Sequence, residues 1–205
     1  MYAYFRTIGI HIQQVHGVAM KNWIFVTGAP GSRWSGIGAE LRFNHHADTT
    51  DYTSDKEYMH TQFSGHKGNY YGPGMLNGQW LDKELGNKQQ WIDEINNSFS
   101  GPEDQVKVIM SHHFAYYLDE IMEIFPESEI VACVRDCDDC MEWWKEAGGW
   151  DITYPSYEFY RDDIKMKHEI YYQNKAILQW VHKHDVKERP SLNNKHEDLK
   201  VYVYK

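Results

Sequence analysis

The 205-residue chain carries 21 Lys and Arg against 30 Asp and Glu, a formal net charge of −9, together with 12 His, 8 Trp, 15 Tyr and 8 Phe. That length suits one α/β domain with a substantial core. The acidic balance argues against a nucleic-acid partner, which needs a broad basic surface, and no apolar run approaches a membrane span. The three Cys crowd together at Cys133, Cys137 and Cys140, which argues against a disulfide scaffold and favours a reducing, cytoplasmic setting.

Residues 1–19 hold Arg6 among scattered apolar positions and lack a signal-peptide core. They read as a loosely attached extension, since Met20-Lys21 stands directly before the first apolar run as a natural start would. Residues 20–205 read as a single domain. Its first strand is expected over Asn22–Thr27, and a helix over Ser35–Phe43. From residue 44 to 86 the pattern dissolves into His, Asp, Thr, Tyr and Gly, a loop-rich insertion of the kind that carries function. Gly86–Ser98 can form a polar helix, Val106–Met110 a buried strand, Ala115–Phe125 a helix and Glu129–Val134 another strand. A helix then runs from Arg135-Asp136 to about Ala147. Tyr157–His184 has a long helical period, and Leu199–Tyr204 alternates as a last strand. Short apolar strands alternating with helices predict an α/β fold with a central parallel sheet flanked by helices. Ligands of such sheets bind beyond the carboxyl ends of the strands, where the loops beginning at Gly28, Ser111 and Arg135 are all expected.

Three constellations carry the chemistry. In the first, Trp23–Val26 stops at Gly28-Ala-Pro-Gly-Ser and meets a segment able to start a helix. Such a turn aims backbone N–H groups and a helix N-terminus at one point, which favours a bound anion. Read as G-x-x-x-x-G-K-[ST], the loop is P-loop-like but has Arg33 at the second Gly and Trp34 at the Lys, with Ser35 fitting. The second is Val106-Lys-Val-Ile-Met-Ser-His-His113, whose His112 at a strand end can act as a general base. Adjacent extended residues point to opposite faces, so only one of His112 and His113 is expected in the site, which disfavours a metal. The third is Phe125-Pro-Glu-Ser-Glu-Ile-Val-Ala-Cys-Val-Arg-Asp136, which delivers a guanidinium suited to a phosphate, with a carboxylate beside it.

In this order the three constellations resemble the PAPS-dependent sulfotransferase family, of which this would be a small and divergent member. Pro30-Gly-Ser-Arg-Trp-Ser35 matches the family's P-[KR]-S-G-T-[ST] loop. Met110-Ser111-His112 matches its Lys-[ST]-His strand end. Phe125 through Asp136 matches its F-P-x-A-K…R-D-P segment, with Cys137 in place of the Pro. The resemblance implies a P-loop-like three-layer fold and transfer of a sulfuryl group from 3′-phosphoadenosine 5′-phosphosulfate, leaving adenosine 3′,5′-bisphosphate. Gly31, Ser32, Arg33, Trp34 and Ser35 would hold the phosphosulfate, Arg33 would offset charge at the bridging oxygen, His112 would be the base, and Arg135 would hold the 3′-phosphate. No metal is expected. The acceptor is a hydroxyl or amine of a small molecule or carbohydrate, with Trp143, Trp144, Trp150, Tyr154 and Tyr157 shaping its pocket. The chain departs from the family pattern at Gly31, where the family has a basic residue, and at Trp143, where it has a Ser.

Two other readings compete. A P-loop nucleotide or small-molecule kinase would use ATP and Mg²⁺ on Asp136, but the loop lacks the Lys that meets the β/γ-phosphates. A non-catalytic relative would keep the fold and bind a partner. Cys133-Val-Arg-Asp-Cys137-Asp-Asp-Cys140 also fits the C-x-x-x-C-x-x-C spacing of radical-SAM cluster loops, yet Cys133 is expected inside a strand and too little chain follows for a barrel.

Overall fold

The computed structural model describes residues 23–51, 68, 70–73, 88–152, 157–192 and 198–205. The extension 1–19, most of the insertion and Tyr154 lie outside the described residues.

Strand β1 (Trp23–Gly28) is buried along its whole length, as its continuous apolar run requires of a central strand covered on both faces. It pairs in parallel with β2 (Lys107–Met110), Trp23 opposite Lys107, and with β3 (Glu129–Val134), Ile24 opposite Glu129. The pleat then sorts its side chains. Trp23 and Phe25 join Phe114, Phe125, Trp91 and Ile177 on one face, and Ile24 and Val26 join Trp34, Ile37 and Leu41 on the other. The first face is covered by α2 (Lys88–Ser98), α3 (Leu118–Ile124) and α5 (Asp163–Lys183), the second by α1 (Trp34–Asn44). Helix α4 (Cys137–Glu146) follows β3. It adds Cys140, Met141 and Trp144 to a third cluster with Ala29, Tyr160, Met166 and Ile170.

The sheet is mixed, not parallel. Its order is β2-β1-β3-β5-β4, and β5 (Lys200–Tyr204) runs antiparallel to β3, with Ile130 opposite Tyr204. The reason lies in the exit from α5. The chain turns at Asp185, whose φ is 50°, into the two-residue strand β4 (Lys187–Glu188), which runs in the direction of β3 but one place further out. The slot beside β3 is filled by the returning strand, so β5 must run the other way.

Local chemistry also moves two helix starts. The expected Ala115–Phe125 helix is a 3₁₀ turn over His112–Tyr116, opened by Ser111 Oγ accepting from His113 N (3.0 Å), followed by α3. The expected Tyr157–His184 helix is a 3₁₀ turn over Glu158–Arg161 followed by α5. There Asp162 leaves helical backbone and caps α5, accepting from Ile164 N and Lys165 N at 3.0 Å each. Such a cap contributes about 1 kcal/mol.

The start of the insertion is pinned to the sheet. Arg42 on α1, 3% exposed, donates to Val108 O (3.0 Å) and pairs with the fully buried Asp51 (3.2 Å). Asp48 accepts from Thr50 and from Gly101 N. Removing one partner of a buried pair leaves an uncompensated charge, at a cost of about 3–5 kcal/mol. Asp51→Ala is therefore expected to lower unfolding free energy by that amount in urea titration, whereas loss of a merely exposed pair would cost under about 1 kcal/mol.

Candidate functional site

Because β1 lies between β2 and β3, the carboxyl ends of all three strands are neighbours. Ser111 N donates to Val26 O at 3.1 Å, and Thr27 Oγ1 donates to His112 O at 3.3 Å, so the His112 turn sits beside the Gly28 loop. On the other side Gly28 is opposite Cys133, two residues before Arg135. The three sequence constellations thus meet at one end of the sheet.

The loop owes its course to two glycines without room for a side chain. A Cβ on Gly28 would lie 2.6 Å from Ser32 Oγ and 2.7 Å from Trp34 Cβ. One on Gly31 would lie 2.0 Å from the Cys140 carbonyl oxygen, and Gly31 has a φ of +79°. Gly31 is thus a steric necessity of packing the loop on α4. Ser32 N closes the turn onto Ala29 O (3.0 Å), and Arg33, also left-handed at φ 69°, leads into α1. Ser32 is buried, and its Oγ has no partner among the described residues. Ser35 lies in the first turn of α1. The Trp34 side chain packs inward, 5.7 Å from the Tyr70 ring and 6.4 Å from His112, so only its backbone is available to a loop ligand.

Two guanidiniums converge here. Arg33 stacks on Trp143 of α4, 3.9 Å from the ring centroid. Burial, and next the charge of Arg135, lower its pKa. Arg135 reaches toward Gly31 O at 3.5 Å and its Nε pairs with the Asp198 carboxylate. Arg33 and Trp143 thus form one arrangement, the guanidinium held on the indole face. Arg161 donates to Ile152 O, and Ser128 closes a turn onto Phe125 O at the opposite end of β3, away from the loop.

His112 is buried within an aromatic enclosure of Trp34, Tyr157, Phe159 and Tyr160. Tyr157 in turn donates to Pro73 O, so the described tail of the insertion closes on this enclosure. His112 Nδ1 lies 2.9 Å from Gln173 Nε2, and Nε2 lies 3.4 Å from the Tyr160 hydroxyl. Gln173 also donates to Glu169 Oε1 (2.7 Å), which accepts from Tyr116 as well (3.0 Å). With Gln173 donating to Nδ1, the neutral ring carries its proton on Nε2.

Contrary to the expectation of opposite faces, His113 points to the same side. Both residues lie in the 3₁₀ turn rather than in the strand, and their rings are 4.0 Å apart. Burial holds the His112 pKa well below 6.5, with the neighbouring His113 adding to the effect, and burial alone lowers His113 to about 4. Both are neutral at pH 7. Glu169, Gln173 and Tyr160 were not singled out from the sequence, and His113 was expected to face away from the site. The signals they offered were the His pair itself and the four-residue spacing that sets Glu169 and Gln173 on one helix face.

The cysteines do not form a cluster site. Cys133 is buried in β3 and Cys140 in α4, where its thiol lies 3.7 Å from Arg135 O. Among the described residues the only potential metal grouping is His112, His113 and Glu169. No described helix is long and apolar enough to cross a membrane. No family model, curated protein or solved structure matches the chain.

Two outcomes follow from this geometry. Gly31→Ala is expected to cost more than about 2 kcal/mol. Gly36→Ala in the first turn of α1, where a Cβ meets nothing within 4 Å, should gain ~0.5 kcal/mol; urea midpoints of the two variants compare them. A lowered His pKa means that the unfolded chain takes up the proton first. Stability is thus complete above about pH 6.5 and falls as the pH drops toward 4. His113 alone accounts for about 3 kcal/mol of that loss. The difference in urea stability between pH 7.5 and pH 4.5 is expected to shrink by most of this amount in His113→Gln.

Proposed function

We propose that the chain is a sulfotransferase with a P-loop-like, three-layer arrangement. In this reading it moves a sulfuryl group from 3′-phosphoadenosine 5′-phosphosulfate to a hydroxyl or amine of a small-molecule or carbohydrate acceptor. The observation that carries it is the convergence of the tight loop, the His112 turn and Arg135 at adjacent strand ends, with the Arg33 and Arg135 guanidiniums close enough to repel each other. Like charges held together are stabilised by an anion between them. The buried Ser32 hydroxyl, without a partner among the described residues, and the helix N-terminus of α1 are further anion donors.

The donor supplies an activated sulfuryl group: the acceptor oxygen or nitrogen bonds to sulfur as the bond to the phosphate oxygen breaks, and the bisphosphate leaves. Arg33 and the loop amides of Gly31–Ser35 hold the leaving phosphate, and Arg135 holds the 3′-phosphate once Asp198 yields its place. His112 takes the acceptor proton. For Nε2 to do so the ring proton must sit on Nδ1, which requires the Gln173 amide to turn its Oε1, buried and without a described partner, toward that nitrogen. Its imidazole is neutral at pH 7 and so free to accept a proton.

Thermal shift and a transfer assay test this together. Adenosine 3′,5′-bisphosphate without metal, at a hundredfold excess over its Kd, should raise the Tm by about 5–10 °C. Asp198→Asn should bind it more tightly. His112→Ala should lose transfer while still binding it. Stabilisation by ATP·Mg²⁺ instead indicates the kinase reading, and no response to any nucleotide indicates a non-catalytic relative.

A further inference from the structure

We propose that His112, His113 and Glu169 form a binding site for one divalent transition-metal ion of the zinc type. The inference stands apart from sulfuryl transfer and does not rest on it. It starts from the turn that overturned the expected opposition of the two His residues: a strand would separate the rings, but the 3₁₀ turn sets them 4.0 Å apart on one side. Helix α5 then brings Glu169 to them, and one ligand atom from each of the three lies within 4.8 Å of the others. Two imidazoles and a carboxylate form the donor set of many open catalytic metal sites, in which the remaining position is left to water or substrate.

Two further observations point to a ligand. His113 is only 9% exposed, and its Nε2 has no hydrogen-bond partner among the described residues. A buried polar nitrogen left unpaired is costly, and a metal ion satisfies it. The Gln173 amide nitrogen also lies 2.9 Å from His112 Nδ1 and 2.7 Å from Glu169 Oε1, donating to both. It occupies the place between two ligand groups that a cation would take. Bonds of about 2.1 Å in a tetrahedron set ligand atoms roughly 3.4 Å apart, so binding draws the three side chains inward by about an ångström and displaces that amide. A metal on His112 also takes up a ring nitrogen, so the loaded form is not competent for proton transfer at that atom.

The test uses the full chain stripped of metal with a chelator and titrated with Zn²⁺ against a chromophoric competitor. One equivalent should bind, with at least tenfold weaker affinity in His113→Gln and in Glu169→Gln, and with tighter affinity in Gln173→Ala, where the competing amide is gone. Circular dichroism establishes that each variant is folded. Co²⁺ added to the unaltered protein provides a readout free of any substitution, since a low-symmetry site of nitrogen and oxygen ligands gives intense visible d–d absorption. Absence of binding, absence of that absorption, or binding equally strong in both ligand variants, which marks adventitious capture by surface His, would overturn the proposal. Bisphosphate binding measured in the metal-free protein reports separately on sulfuryl transfer, so either idea can fail alone.

Discussion

The carbonyl oxygen of Cys140 occupies the space that a side chain at position 31 would need. This contact governs the candidate site. It presses the loop after β1 onto the first helix after β3, and it admits only Gly at position 31, in a left-handed conformation that Gly adopts without penalty. Once the loop is fixed there, Arg33 enters a second left-handed position and α1 begins immediately after it. The strand ends of β1 and β3 are thereby joined through their loops as well as through their ladder. Asn174 of α5 strengthens the same corner by donating to Arg135 O at 2.7 Å.

Charge at this corner is balanced locally. Arg33 rests on the face of Trp143, an attraction of about 0.5–1 kcal/mol at a partly exposed site, and Arg135 is met by Asp198. The net charge of −9 makes such a basic pair conspicuous against the rest of the chain. The His112 enclosure is the opposite kind of environment. Aromatic rings surround it, burial keeps both imidazoles neutral, and polar contacts of His112 run through Gln173 to Glu169 and Tyr116 on one side and to the Tyr160 hydroxyl on the other. A corner of two guanidiniums thus lies next to a buried pair of neutral imidazoles.

The parts legible in the sequence were those with a strong local signal. The apolar runs at β1, β2 and β3 placed the strands within a residue or two, and their neighbouring loops followed from parallel connectivity. The direction of β5 was not legible, because alternation in Lys200–Tyr204 reports which faces are buried and is blind to polarity. Strand β4 gave no signal, since two charged residues carry no period. The shared side of His112 and His113 depended on where extended backbone ended: the strand stops at Met110, Ser111 is still extended and caps the turn, and the 3₁₀ turn begins at His112. Glu169 and Gln173 looked like ordinary residues of a polar helix face, and only the packing of α5 across the strand ends gives them a role. The pairing of Arg33 with Trp143 needed the positions of both elements, though each departure was visible by itself.

The margins of the sheet carry a consequence of their own. Strand β4 is only two residues long, and both Lys187 and Glu188 are exposed and charged. At the other margin Tyr70 forms a parallel bridge to Met110, and Tyr71 N donates to Met110 O, so the carboxyl end of β2 is already paired. An outer strand that is short and ionic, or already engaged, is a poor template for another chain. Two copies meeting edge to edge find little free ladder on which to extend, and the apolar strands in the middle are kept from intermolecular β-association.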